Sequence, residues 1–184
     1  MKVFILYVLI IPGLAHAQLD SSGVYLNMTD FQHHKLAYAI NCKPQKHKIK
    51  LAHFSDSDII KVVHNDSIYA LLRGEIFGYC DCKWNSFRFI EGKSYTILNP
   101  SEYILLYMYG TPGPHGADVE YLFSRGTDGA IMKLSKENLK KAFPENNAFQ
   151  KKIDQIFGRR LELTSYDKGQ SMYVINWLYA KVKE

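Results

Sequence analysis

The spacing of hydrophobic positions changes once along the chain, near residue 135. Before that point, short apolar runs recur between turn residues, a pattern typical of antiparallel strands. Ile59–His64 and Ile68–Arg73 flank Asn-Asp-Ser, which predicts a hairpin. Tyr103–Tyr109 is apolar on both faces and predicts a central strand. One short helical turn is expected early in the chain, capped by Thr29 and carrying Phe31.

Beyond residue 135 the apolar positions repeat at helical spacing. Ser135 is a good N-cap, and the first helix is expected to end near Phe143, because Pro144 follows. Asn147 is expected to cap a second helix, and a third is predicted from Asp167 to Lys183.

Strands first and helices last indicate an α+β fold. We expect an antiparallel strand-rich sheet or partial barrel followed by two to three C-terminal helices. Residues 18–184 are expected to form a single domain, β-rich over about 18–134 and helical over about 135–184.

The N-terminus has the order of a secretory signal peptide. Lys2 supplies a positive charge, Val3–Ile11 is an unbroken apolar run, and small residues precede a cleavage site between Ala17 and Gln18. The run is too short to span a bilayer comfortably, since a spanning helix needs about 20 apolar residues. Residues 1–17 are therefore predicted to be removed, leaving a secreted or periplasmic protein with no membrane span.

Three cysteines follow the signal: Cys42, Cys80 and Cys82. Cys80 and Cys82 are a poor pair, because alternate residues of a strand point to opposite faces. A bridge from Cys42 to either of them would join two distant strands. The alternative is three buried free thiols that behave as small apolar side chains.

Charge and motifs exclude several functions. The net charge of +5 is mild and no basic block occurs, so a nucleic-acid partner is not expected. Neither glycine-rich phosphate-binding motif is present, and no cofactor is expected.

Metal binding is the sharpest chemical candidate, since imidazole and thiolate suit zinc or copper. Five histidines fall close together in the sequence: His33, His34, His47, His53 and His64. Their spacing to one another and to the cysteines matches no ligand template, so we assign no metal ligands. A cysteine–histidine pair would also permit hydrolytic chemistry, but no catalytic residue is assigned.

Acidic residues flank the loop over residues 111–116, which is rich in glycine and proline. Glu102, Asp118 and Glu120, with His115 in that loop, are expected to come together at one end of the sheet. Loops on a rigid scaffold often carry function, so this loop is the preferred candidate region for a functional site.

Aromatic residues suggest a different kind of site. Tyr79, Trp84, Phe87 and Phe89 are grouped, and exposed aromatics would stack on sugars or bind a partner. The main hypothesis is therefore a non-enzymatic binding or accessory module of the cell envelope, with a protein or glycan as its partner. The alternative is a metal-binding protein or hydrolytic enzyme that uses the histidines and cysteines.

Three stretches carry a resemblance. They are the G-V-Y-L…D-F opening (23–31), the I-F-G-Y-x-D-C strand (76–82) and the L-S-K-E-N-L-K-K-A-F helix (134–143) with the helices after it. In this order they resemble a group of uncharacterised exported proteins of Bacteroidetes-type bacteria. The resemblance implies an exported domain and no particular activity.

Overall fold

The computed structural model describes residues 21–43, 48–51, 58–110, 119–158 and 161–183. The predicted signal peptide and its cleavage site at Ala17 and Gln18 lie outside these residues. The β-rich part contains β1 (Ser21–Tyr25), α1 (Met28–Gln32), β2 (Ala37–Asn41), β3 (Lys48–Leu51), β4 (Ile59–His64), β5 (Ser67–Leu72), β6 (Gly78–Cys80), β7 (Ser86–Ile90), β8 (Lys93–Ile97), β9 (Ile104–Tyr109), β10 (Glu120–Arg125) and β11 (Met132–Lys133). The C-terminal part contains α2 (Lys136–Ala142), α3 (Asn147–Ile156), β12 (Tyr166–Asp167), β13 (Met172–Tyr173) and α4 (Val174–Lys183). None of the helices over these residues has the length and apolar character that crossing a membrane requires.

The main element is an eight-stranded antiparallel sheet with the strand order β11-β10-β9-β8-β7-β6-β1-β2. Strands β6 to β11 follow one another as a meander, and β1 inserts between β6 and β2. The C-terminal helices follow this sheet in the chain. The predicted α+β class, a strand-rich antiparallel sheet followed by helices, is confirmed.

Strand β9 is central, as its apolar sequence predicts. Residues 104–107 are buried on both faces of the sheet. Ile104 and Leu106 pack with Phe123 and the C-terminal helices, whereas Leu105 and Tyr107 face the opposite side. We call the side of the helices the first face and the other side the second face.

Helices α2, α3 and α4 cover part of the first face. The side chain of Ser135 accepts a hydrogen bond from the Asn138 N–H, and Phe143 follows the last turn of α2, as the sequence predicts. The cap of α3 is Asn146, one residue before the predicted Asn147, and its side chain accepts from the Phe149 N–H.

The predicted third helix begins later than expected. Asp167 lies in a short β12–β13 hairpin, where its side chain accepts hydrogen bonds from the N–H groups of Gly169 and Gln170. An aspartate that bonds to the backbone two residues on favours a turn over a helix. The expectation of a helix from Asp167 is therefore wrong, and α4 begins at Val174.

A second sheet, of three strands in the order β3-β4-β5, also lies on the first face of the large sheet. Its inner residues Ile60 and Val62 contact Val24, Tyr79 and Phe89 of the large sheet. The predicted β4–β5 hairpin is confirmed. Its two turn residues 65 and 66 both have positive φ, of 48° and 58°, as a tight hairpin turn requires.

Helix α1 lies on the second face. Phe31 packs edge-on against Tyr25 at 5.3 Å between ring centroids and stacks on Phe77 at 4.7 Å. The expected helical turn is present, but its cap is Asn27 rather than Thr29, because the Asn27 side chain accepts from the Asp30 N–H. The space beside α1 forms the candidate site.

Candidate functional site

Two adjoining cavities open on the second face, at the end of the sheet where β6 ends and β7 begins. The apolar cavity, of about 210 Å3, is lined by Ser21, Tyr25, His34, Leu36, Cys80, Trp84, Ser86 and Pro100. The polar cavity, of about 390 Å3, is lined by Phe31, Gln32, His34, Pro100, Ser101, Glu102, Tyr103, Leu105, Gly126 and Thr127. Because His34 and Pro100 line both cavities, the two form one continuous depression, which we call the cleft.

The floor of the apolar cavity comes from three adjacent strands. Cys80 lies opposite Gly23 of β1 on one side and opposite Ser86 of β7 on the other, so all three residues lie on the second face. Two causes raise the pKa of the Tyr25 phenol to about 12: the larger is burial, and the smaller is the neighbouring Cys80. Burial also raises the pKa of the Cys80 thiol. At neutral pH both groups are uncharged, so the floor offers hydrogen-bonding partners rather than a reactive thiolate.

Trp84 stands at the edge of the apolar cavity on a tightly bonded loop. The Asp81 carboxylate accepts hydrogen bonds from the N–H groups of Lys83 and Asn85, at 2.8 and 2.9 Å, and from the Asn85 side chain. Trp84 itself has a positive φ of 69° and is 50% exposed. A large ring held half-exposed beside a cavity is a preformed surface for stacking.

The same loop carries a disulfide bond between Cys42 and Cys82, with their Cα atoms 5.6 Å apart. Strands β2 and β6 are the two neighbours of β1, so the bond joins the segments just beyond those strands, across the start of β1. Of the two bridges that the sequence left open, the structure contains Cys42–Cys82. Cys80 is a buried free thiol, and the alternative of three free thiols is wrong.

The opposite wall, the segment from Pro100 to Tyr103, is fixed to α4 and β9 by buried amides. The Asn176 side chain accepts from the Ile104 N–H at 2.8 Å and donates to the Ile104 carbonyl at 2.9 Å. Asn99 donates to the same carbonyl and to the Glu102 carboxylate. Both walls of the cleft are therefore preorganised.

A polar network below α1 completes the site. Arg88 donates to the Tyr107 hydroxyl at 2.8 Å and to the Thr127 carbonyl at 3.2 Å. Gln32, in the last turn of α1, donates to the Thr127 hydroxyl at 2.6 Å. The Arg88 guanidinium also lies 4.8 Å from the centre of the Phe77 ring. These contacts fix the position of α1 against the sheet.

Three of the five histidines weighed as metal ligands lie within the described residues, and each has a different environment. His33 is exposed and bonds to the Thr29 carbonyl, His34 lines the cleft, and His64 packs against Tyr38 on β2. His47 and His53 lie outside the described residues. Within the described ranges, no three His, Cys, Asp or Glu residues are grouped so as to hold a metal ion.

The expected acidic cluster does not form around Glu102 and Glu120. Glu102 precedes the start of β9, whereas Glu120 pairs with Tyr109 at its end, so a strand of six residues separates them. At about 3.3 Å per residue, a strand of this length places Glu102 and Glu120 on the order of 20 Å apart. Glu120 instead accepts from the Tyr95 hydroxyl at 2.7 Å. His115 and Asp118 lie outside the described residues.

The aromatic group divides between two environments. Tyr79 stacks on Phe87 at 4.5 Å and lies 5.7 Å from Phe89, and these three rings pack with the small sheet on the first face. Only Trp84 of this group reaches the cleft. Sequence reasoning missed Tyr25, Ser86 and Pro100, which belong to no motif and meet only through strand order, and it weighed His34 as a metal ligand rather than as part of a cleft.

Compared with models of protein families, with curated proteins and with solved structures, the chain matches none of them. The functional argument therefore depends on the geometry of the cleft.

Proposed function

We propose that the chain is an exported, non-enzymatic binding module of the cell envelope and that its cleft binds a glycan. The observation that carries this proposal is the position of Trp84, half-exposed on a rigid loop at the edge of an apolar cavity that continues into a polar one. Small-ligand sites typically combine such apolar and aromatic walls with a few polar groups.

The dimensions suit a sugar ring. A cavity of about 150 Å3 holds a benzene molecule, so the apolar cavity, at about 210 Å3, has room for one six-membered ring. The C–H face of that ring would lie on Trp84, while its hydroxyls reach the phenol of Tyr25 and the hydroxyl of Ser86. The next sugar would enter the polar cavity, where Gln32 and Glu102 supply a donor and an acceptor.

Two further features support export. The N-terminal sequence has the order of a signal peptide, and the Cys42–Cys82 disulfide is typical of proteins in an oxidising compartment. The resemblance to exported proteins of Bacteroidetes-type bacteria agrees with this. The metal-binding or hydrolytic alternative receives no support from the described residues, because two of its three cysteines are joined to each other.

The test is calorimetric titration of the purified protein with a panel of mono- and disaccharides. We expect at least one to bind, and Trp84→Ala to weaken that binding about 30-fold, since truncation of a tryptophan that carries much of the contact with a ligand costs about 2 kcal/mol. Tyr166→Ala is the matched control, because Tyr166 is 51% exposed and lies away from the cleft lining. The absence of binding across the panel, or equal affinity for the Trp84→Ala variant, would contradict the proposal.

A further inference from the structure

Strand β5 is an exposed and uncharged edge of the small sheet, since no other described strand pairs with its outer side. It has the sequence SIYALL and no charged residue, and five of its six residues are exposed. Ile68 is 70% exposed and Leu72 is 43% exposed. Proteins usually protect such edges with lysine, proline or a bulge, because an open edge pairs with other chains. Strand β5 carries no lysine or proline and pairs with β4 without a break in register.

The hairpin register determines which backbone groups point outwards. The two-residue turn closes on the His64–Ser67 pair, so the hydrogen-bonded pairs with β4 alternate from there to Val62–Tyr69 and Ile60–Leu71. The N–H and C=O groups of Ile68, Ala70 and Leu72 therefore face the open edge. These are the groups to which an added strand would bond.

The outer face of the sheet has a definite chemical pattern next to that edge. On β4, Val63 lies beside Ile68, Lys61 beside Ala70, and Ile59 beside Leu72. Ala70 is small and both it and Lys61 are exposed, so the lysine side chain is able to cross the strand above Ala70. A strand added at the edge would thus meet an apolar, a basic and an apolar position in succession.

We propose that β5 receives an extended segment of a partner protein as a fourth strand, and that this segment carries the pattern apolar–any–acidic–any–apolar. The acidic residue lies opposite Ala70 and pairs with Lys61, while the apolar residues contact Ile68 and Leu72. The pattern reads the same in both directions, so it holds for either orientation of the added strand. A second copy of this chain fits less well, because its own β5 would place alanine where Lys61 requires an acid.

The test uses the fluorescein-labelled peptide Ser-Val-Thr-Glu-Thr-Val-Ser and its variant with lysine in place of glutamate, each measured by fluorescence anisotropy with the purified protein. We expect the glutamate peptide to bind about fivefold more tightly, the upper range for one exposed ion pair. The substitution Lys61→Glu should reverse the preference. Lys151→Glu, on the exposed side of α3, makes the same charge change elsewhere and should leave the preference unchanged.

A second variant tests the backbone hydrogen bonds to the added strand separately from the ion pair with Lys61. Ala70→Pro removes an outward N–H while leaving the bonds to β4 in place, and it should abolish binding of both peptides. The proposal is overturned if neither peptide binds, if both bind equally, or if Lys61→Glu leaves the preference unchanged. It is also overturned if the protein dimerises in sedimentation experiments and Ala70→Pro abolishes the dimer, since a second copy would then occupy the edge.

Discussion

Removal of the Cys42–Cys82 disulfide should destabilise the domain and loosen the loop that holds Trp84 at the cleft. The bond closes a chain segment of 40 residues that contains the whole of the small sheet, β3 to β5. It also anchors the loop that carries Trp84, two residues beyond Cys82. The double substitution Cys42→Ala with Cys82→Ala opens this segment without leaving a new thiol.

The expected cost follows from the length of the closed loop. A cross-link over 40 residues lowers the entropy of the unfolded chain enough to stabilise the folded state by about 4 kcal/mol at 25 °C. Domains have a free energy of unfolding of about 5–15 kcal/mol, so loss of the disulfide would remove a large fraction of the stability. For a chain of this size the melting temperature should fall by about 8–16 °C.

The assay is urea unfolding followed by fluorescence under non-reducing conditions. The double variant should lose about 4 kcal/mol of unfolding free energy. Reductant should lower the stability of the unmodified protein to the same level and leave the double variant unchanged, which controls for effects of the substitutions themselves. Equal stability of the two proteins, or no response of the unmodified protein to reductant, would refute the reasoning.

Three further predictions concern the buried groups around the cleft. Asn176→Leu leaves the Ile104 N–H without its partner, so urea unfolding should show a loss of about 1–3 kcal/mol, and a loss within error of zero would contradict this role. Alkylation followed by intact-mass measurement should find one reactive thiol, Cys80, in unfolded non-reduced protein and none in the folded state; three thiols without reductant would show that the disulfide is absent. The Tyr25 pKa is raised to about 12, so its contribution to stability is fully present below pH 10 and is lost as the pH rises through 12. Between pH 10 and 12 the unmodified protein should therefore lose on the order of 2 kcal/mol more of its unfolding free energy than the Tyr25→Phe variant loses. Parallel pH profiles of the two proteins would contradict this.

The sequence predicted those elements whose signals are local. The cap at Ser135 and the turn between β4 and β5 depend on a few neighbouring residues, and both lie where the pattern places them. The third helix begins later than the apolar pattern predicts, since the Asp167 side chain forms its own turn and this turn competes with the helix.

The cleft depends on contacts that no local pattern encodes. Tyr79 and Trp84 belong to one aromatic stretch, yet one packs against the small sheet and the other reaches the cavity, because the strand ends between them. The choice of Cys82 over Cys80 likewise follows from the placement of β2 and β6 on either side of β1. Strand order is set by the whole fold, so these features emerge only in three dimensions.

The most direct test of the proposed function is the fluorescence of Trp84 in a Trp177→Phe variant. The chain contains two tryptophans, so this variant reports on Trp84 alone. Acrylamide quenching is measured while the saccharide that binds in calorimetry is added. A sugar stacked on Trp84 should shield the ring, and quenching should fall in step with saturation. Saturating calorimetric binding with unchanged quenching would show that the ligand lies elsewhere and would contradict a glycan site in the cleft.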